Sequence, residues 1–322
     1  MSVLVRVDRR APIVVHMVWY RAGAMDETSG RTGVAHVLEH MMFKGTETLA
    51  PGEFSRRVAA LGGSENAFTS SDYTGYYQQV PSARLAEVMA LEAERMSRLV
   101  LDPQEFEREV RVVMEERRTR TEDSPRGLLY EAFMASAFVA TPYRHPVIGW
   151  ASDLESLTVD DAREWYRRWY VPNNALLVVV GDVDPAEVIT LAERTYGRIE
   201  ARELPPRKPQ REPPQRGLRR IEVKAPAEQP VLLMGWKVPS LPASDGDTDP
   251  YALEVLAAIL DGGESARLPR ELVRSQRIAN SVGAGYSMAQ RGPALFTLQA
   301  VPAQGRTAAE LEQALRAEIA RV

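Results

Sequence analysis

Residues 200–217 (EARELPPRKPQREPPQRG) constrain the fold more than any other stretch of this 322-residue chain. They are rich in Pro, Arg and Gln and offer almost nothing apolar to bury, so they cannot join a packed core. The chain is long enough for about two domains, and this stretch reads as the linker between them. The expected division is a domain over 1–199, a Pro-rich linker over 200–217 and a second domain over 218–322. After the linker the pattern restarts: PVLLMGWKVP (230–239) resembles PIVVHMVWYRAG (12–23). The chain therefore reads as a weak duplication of one α+β unit, with the second unit shorter and expected to be incomplete. Met1 and Ser2 run straight into VLVRV, so the start is expected to be a mature or trimmed terminus.

Within the first half, apolar runs predict strands at 3–7 and 13–20, a nearly continuous apolar run predicts one at 175–183, and the aromatic, Thr-rich text of 64–81 predicts a hairpin. Helices are predicted at 51–61, 82–99, 103–120, 125–139, 159–169 and from Asp184-Pro185 to about Tyr196. Asp102-Pro103 and Asp184-Pro185 supply an N-cap and a first-turn proline, and Thr158 caps the helix that follows it. In the second half, a helix opens at Asp249-Pro250, a strand covers 294–301 and a helix covers 307–322.

Composition excludes several functions. Net charge is −4, which gives no electrostatic ground for nucleic-acid binding. No run of about 18 apolar residues exists to span a membrane. The chain has no Cys, so neither disulfides nor thiolate metal ligands are available.

The chain holds four His, and two of them fall in RTGVAHVLEHMMFKGT (31–46). His36 and His40 are one helical turn apart and share a face. Glu39 lies beside them at i+3 from His36. Two imidazoles on one face suit Zn²⁺, and an adjacent carboxylate suits a general base. H-x-x-E-H is the inverted order of the H-E-x-x-H zinc-protease signature. A third ligand is needed, and the helix 103–120 offers several carboxylates. At about 100° per residue, Glu109 and Glu116 flank the apolar stripe of Phe106, Val110 and Val113, whereas Glu115 turns to solvent. Phase alone admits both Glu109 and Glu116 to an internal site.

With these residues in view, the chain resembles the pitrilysin/insulinase family of zinc peptidases, which includes mitochondrial processing peptidase and bacterial relatives. RTGVAH, LEHMMFKGT, GGSENAFTSSDYTGYY and REVRVVMEERR carry the resemblance, which covers nearly the whole chain and is strongest through residue 200. It implies that His36, His40 and Glu116 hold one Zn²⁺ per chain. Glu39 becomes the catalytic base, and Glu109 the second acidic residue that supports the site. The implied fold is two homologous units, each an antiparallel sheet with helices on one face.

The resemblance also implies a substrate. Short or unfolded peptides would add as a strand at the sheet edge around Asn66 and Ala67, held by main-chain hydrogen bonds. Family members draw an Arg and a Tyr, seven residues apart, from an opposing half to bind substrate carbonyls. Arg274 fits the Arg, but the seventh residue on is Ser281, and Tyr286 lies out of register. A homologous subunit lacking H-x-x-E-H is therefore the implied partner, supplying Arg and Tyr in a heterodimer. A bacterial periplasmic or extracytoplasmic location follows by the same analogy. The competing reading is a non-catalytic scaffold subunit of the same fold, and the intact motif argues against it.

Overall fold

The computed structural model describes residues 1–241 and 246–322. In chain order the elements are β1 (Ser2–Val7), β2 (Ile13–Tyr20), α1 (Val34–Met41), α2 (Glu53–Ala60), β3 (Ser64–Thr69), β4 (Thr74–Pro81), α3 (Leu85–Arg98) and α4 (Pro103–Arg117). There follow α5 (Pro125–Ala137), α6 (Ala151–Ser156), α7 (Val159–Trp169), β5 (Ala175–Gly181) and α8 (Pro185–Arg194). Last come β6 (Leu232–Val238), α9 (Asp249–Asp261), β7 (Ala279–Gly285), β8 (Ala294–Pro302) and α10 (Ala308–Ile319). The fold is α+β, with helices and two separate sheets. No helix among the described residues is long and apolar enough to cross a membrane.

The chain divides into two compact units, one of residues 1–118 and 145–210, the other of 119–144 and 211–322. The first unit holds a five-stranded sheet in the order β1-β5-β2-β4-β3. Strict alternation makes it one-faced: Val14, His16, Val18 and Tyr20 of β2 and Leu177 and Val179 of β5 are buried, as a half-buried sheet requires. Neighbouring strands are antiparallel except β1 with β5. That pair is parallel because β5 inserts between β1 and β2 and runs against β2. The strand ending the sheet beside β4 is β3, and α1 packs near it.

Helix ends follow the sequence signals. Asp102 accepts hydrogen bonds from the Gln104 and Glu105 N–H groups, and Asp184 from those of Ala186 and Glu187. Thr158 and Asp161 form a reciprocal capping box on α7. Helix α4 ends three residues sooner than expected, where Arg118–Glu122 widens into a π turn.

The second unit has a three-stranded antiparallel sheet, β6-β8-β7. Its core gathers Met234, Leu260, Leu268, Leu272, Phe296, Leu298, Leu311 and Leu315. Here the grouping departs from the division expected at residue 199. Residues 119–144 cluster with the second unit because α5 lies on β6. The approach is close enough that a Cβ on Gly235 would stand 2.5 Å from the Phe133 ring.

Candidate metal centre

The motif helix α1 begins without a capping side chain of its own. Its N-cap is Gly33, at φ 89°, a left-handed conformation that suits glycine. The cap comes instead from Glu27. One carboxylate oxygen accepts the Gly33 N–H at 2.9 Å and the other the Ala35 N–H at 2.8 Å, satisfying donors that every helix start leaves open. Burial pushes the Glu27 carboxyl up to about 8 against the pull of those two bonds. Asp153 fastens the preceding loop, accepting from the Gly30 N–H and from both the N–H and hydroxyl of Thr32. Val34, Val37, Leu38 and Met41 then bury one side of α1, which fixes the roll of the helix and the direction of its histidines.

His36 and His40 stand edge to face, with ring centroids 4.9 Å apart at 78°. From α4, Glu116 reaches both: Oε1 lies 3.8 Å from His36 Nε2 and Oε2 lies 3.5 Å from His40 Nε2. Ligand atoms of the three residues all fall within 4.8 Å of one another. Tetrahedral zinc bonds of roughly 2.1 Å put ligand atoms about 3.4 Å apart, so the donor set fits the ion with little adjustment. Two imidazoles and one carboxylate, gathered among the described residues, are donors of the kind that Zn²⁺ takes.

The other carboxylates divide by partner. Glu109, with a side chain only 9% exposed, places one oxygen 3.2 Å from His40 Nδ1 and the other 2.6 Å from Lys44 Nζ. Glu39 accepts a 2.5 Å hydrogen bond from the Thr69 hydroxyl at the end of β3. Glu115 points away, its side chain 63% exposed and paired with Arg118 one turn on. The two remaining histidines are engaged elsewhere. His16 is buried between Gln78 and Tyr196, and His145 Nδ1 accepts the Trp150 indole N–H.

Asn66 and Ala67 lie on β3, the last strand of its sheet. The Asn66 side-chain oxygen accepts the Ala67 N–H at 2.8 Å. Arg274 belongs to the second unit, exposed in the π turn Pro269–Ser275. Ser281 sits on β7, and the Tyr286 hydroxyl donates to the Pro239 carbonyl. The first unit thus brings together His36, His40, Glu116 and Glu109, with Glu39 on the same helix as the two histidines. Sequence reasoning passed over Thr69, Lys44 and Glu27. KGT after the motif and the Thr closing ENAFT were signals in plain view, but no periodicity distinguished them.

A metal centre built from an inverted histidine motif on an α+β unit is the design of one class of zinc peptidases. Residues 2–150 match the domain described as Insulinase (Peptidase family M16), and residues 156–322 match the Peptidase M16 inactive domain. The chain belongs to peptidase family M16. The zinc protease PqqE of Helicobacter pylori is 36% identical over 281 residues, covering 86% of this chain and 62% of that protein. An uncharacterized zinc protease of Mycobacterium leprae is 32% identical over 274 residues, covering 82% of this chain and 59% of that protein. The chain thus spans less than two thirds of these curated relatives. The crystal structure of a protease from Helicobacter pylori superimposes with a TM-score of 0.93 at 32% identity, covering 99% of this chain and 76% of that one.

Proposed function

We propose that this chain is the catalytic subunit of a zinc endopeptidase acting on short or unfolded peptides. The observation that carries the reading is the convergence of His36, His40 and Glu116 with Glu39 on the same helix as the histidines. Zn²⁺ held there would supply Lewis acidity, polarising a scissile carbonyl and acidifying a water molecule. Glu39 takes the proton of the attacking water and returns it to the leaving amine. Thr69 donates to Oε2, which orients the carboxylate. Glu109 holds the His40 ring through Nδ1, leaving Nε2 for the metal. Strand β3 ends in Thr69, so a peptide added along Asn66 and Ala67 would run toward the base.

The partner follows from the second unit. Arg274 is present, but Ser281 stands where the family spacing calls for Tyr. We infer a homologous subunit that supplies both the Arg and the Tyr to the oxyanion.

Glu39→Gln tests the assignment. Zinc stoichiometry should stay at wild type while peptide turnover, assayed with the candidate partner present, falls by at least about 10²-fold. Retention of a tenth or more of the activity would exclude Glu39 as the base.

A further inference from the structure

The Lys44 ammonium touches no proposed metal ligand, yet it completes a chain that ends on one. Glu109 has two oxygens, and each has a single cationic or N–H partner: Oε1 meets Lys44 at 2.6 Å and Oε2 meets His40 Nδ1 at 3.2 Å. A carboxylate pinned at both oxygens cannot rotate about its terminal bond without breaking a charge-assisted contact. The plane of Glu109 therefore sets the plane in which the His40 ring can lie.

The backbone places Lys44 for this contact. Helix α1 stops at Met41, and the Lys44 N–H still donates to the Met41 carbonyl at 2.9 Å. The next residue, Gly45, turns sharply at φ 111°. A Cβ there would sit 2.7 Å from the Leu49 carbonyl oxygen, so glycine is required. The Gly45 carbonyl in turn accepts the Val100 N–H, tying this turn to the segment that leads into α4. The turn that carries Lys44 is thus tied to the segment just before the glutamate helix.

We propose that Lys44 is a positioning residue of the metal centre: by holding Glu109 in one orientation it aims the His40 imidazole, so metal affinity depends on a side chain that is not a ligand. This rests on the zinc-site reading above. The charge of Lys44 makes the proposal sharp. An ammonium near a dication is repulsive by itself, and only the intervening Glu109 carboxylate makes it useful. Lys44 should therefore favour the metal when Glu109 is present and oppose it, or do nothing, when Glu109 is neutral.

The test is a zinc-affinity cycle by chelator competition on the full chain, with wild type, Lys44→Met, Glu109→Gln and the double variant, and far-UV circular dichroism to confirm folding. Lys44→Met should weaken zinc by about 10–100-fold, the usual effect of losing support behind a ligand. In the Glu109→Gln background the same change should be neutral or should tighten binding. Lys44→Arg should restore affinity to within about threefold of wild type by supplying the same charge. If Lys44→Met does not fold, Lys44→Gln takes its place, since it keeps most of the stem and removes the charge. Unchanged or tighter binding in the single variant, or additive losses in the double variant, would overturn the proposal while leaving the zinc site standing. A wild-type chain that binds no zinc would instead overturn the site itself.

Discussion

Glu115 and Glu116 are neighbours in sequence and opposites in geometry, so the paired substitutions to Gln test the metal centre with a built-in control. Glu116 offers one oxygen at 3.8 Å to His36 and the other at 3.5 Å to His40. Gln at that position has the same shape but a neutral, weaker donor. Losses of support one shell further out already weaken metal by about 10–100-fold, so removing the ligand charge should weaken zinc by at least about 100-fold. At about 1.4 kcal/mol per decade, that is about 2.8 kcal/mol of lost binding energy. Zinc that binds the folded state alone stabilises it by mass action, so the zinc-dependent rise in unfolding free energy should shrink by a similar amount. Glu115 pairs with Arg118 in solvent, where water screens the pair. Its substitution should leave zinc affinity within about twofold of wild type. Chelator competition and urea titration with and without zinc measure both quantities. An equal or larger zinc deficit in Glu115→Gln would refute the assignment and the helix phase together.

Arg95 and Glu92 form a fully buried ion pair at 2.6 Å, with the guanidinium over the Phe54 and Tyr76 rings. Arg95→Ala should cost about 3–5 kcal/mol in urea unfolding because Glu92 is left as an uncompensated buried charge, whereas replacing both residues with apolar ones should cost clearly less. For Glu27, the folded value of about 8 lies above the ordinary 4.5, so its stabilising contribution is complete below about pH 4.5 and is lost as pH rises toward 8. The stability of wild type relative to Glu27→Gln should therefore fall across that window, by about 5 kcal/mol at most from 1.36 kcal/mol per unit; a pH-independent difference would contradict this. Limited trypsin digestion should cut first at the exposed Arg211 or Arg216 within 200–217, and first cuts inside α1 would argue against the two-unit organisation.

Local chemistry was readable from the sequence, and long-range chemistry was not. The 3.6-residue period placed Glu109 and Glu116 inward and Glu115 outward on α4, and the burial of Glu109 and the exposure of Glu115 agree. Asp102, Thr158 and Asp184 announced helix starts because capping depends on the next three residues alone. Strand β7 escaped notice because ANSVGAG has too few large apolar side chains to show alternation. It pairs with β8, the next strand along the chain, so the signal that places it lies in β8 rather than in its own text. The parallel pairing of β1 and β5 joins residues some 174 positions apart (Ser2 with Leu176), and no local signal encodes it. Lys44 and Thr69 belong to the same class: each finds its carboxylate only after α1, α4 and β3 have packed.

Five glutamates of the first unit show why residue type alone could not assign roles. Glu116 lies between two imidazoles, and its charge suits a cation. Glu109 has a cation on one oxygen and a histidine on the other, so its charge is already spent on positioning. Glu39 accepts from the neutral Thr69 hydroxyl, a bond that orients a carboxylate without cancelling its charge, as the proposed base role requires. Glu115 pairs with Arg118 at the exposed surface. Glu27 is enclosed against two backbone N–H groups at the start of α1, where the helix dipole favours an anion but burial opposes one. If the partners set the roles, exchanging a partner should convert one role toward another. Thr69→Lys would place a cation against Glu39 in the manner of Lys44 against Glu109. Peptide turnover should then fall by about 10²-fold or more with zinc still bound, because the carboxylate would be kept in place but no longer basic enough to take the proton.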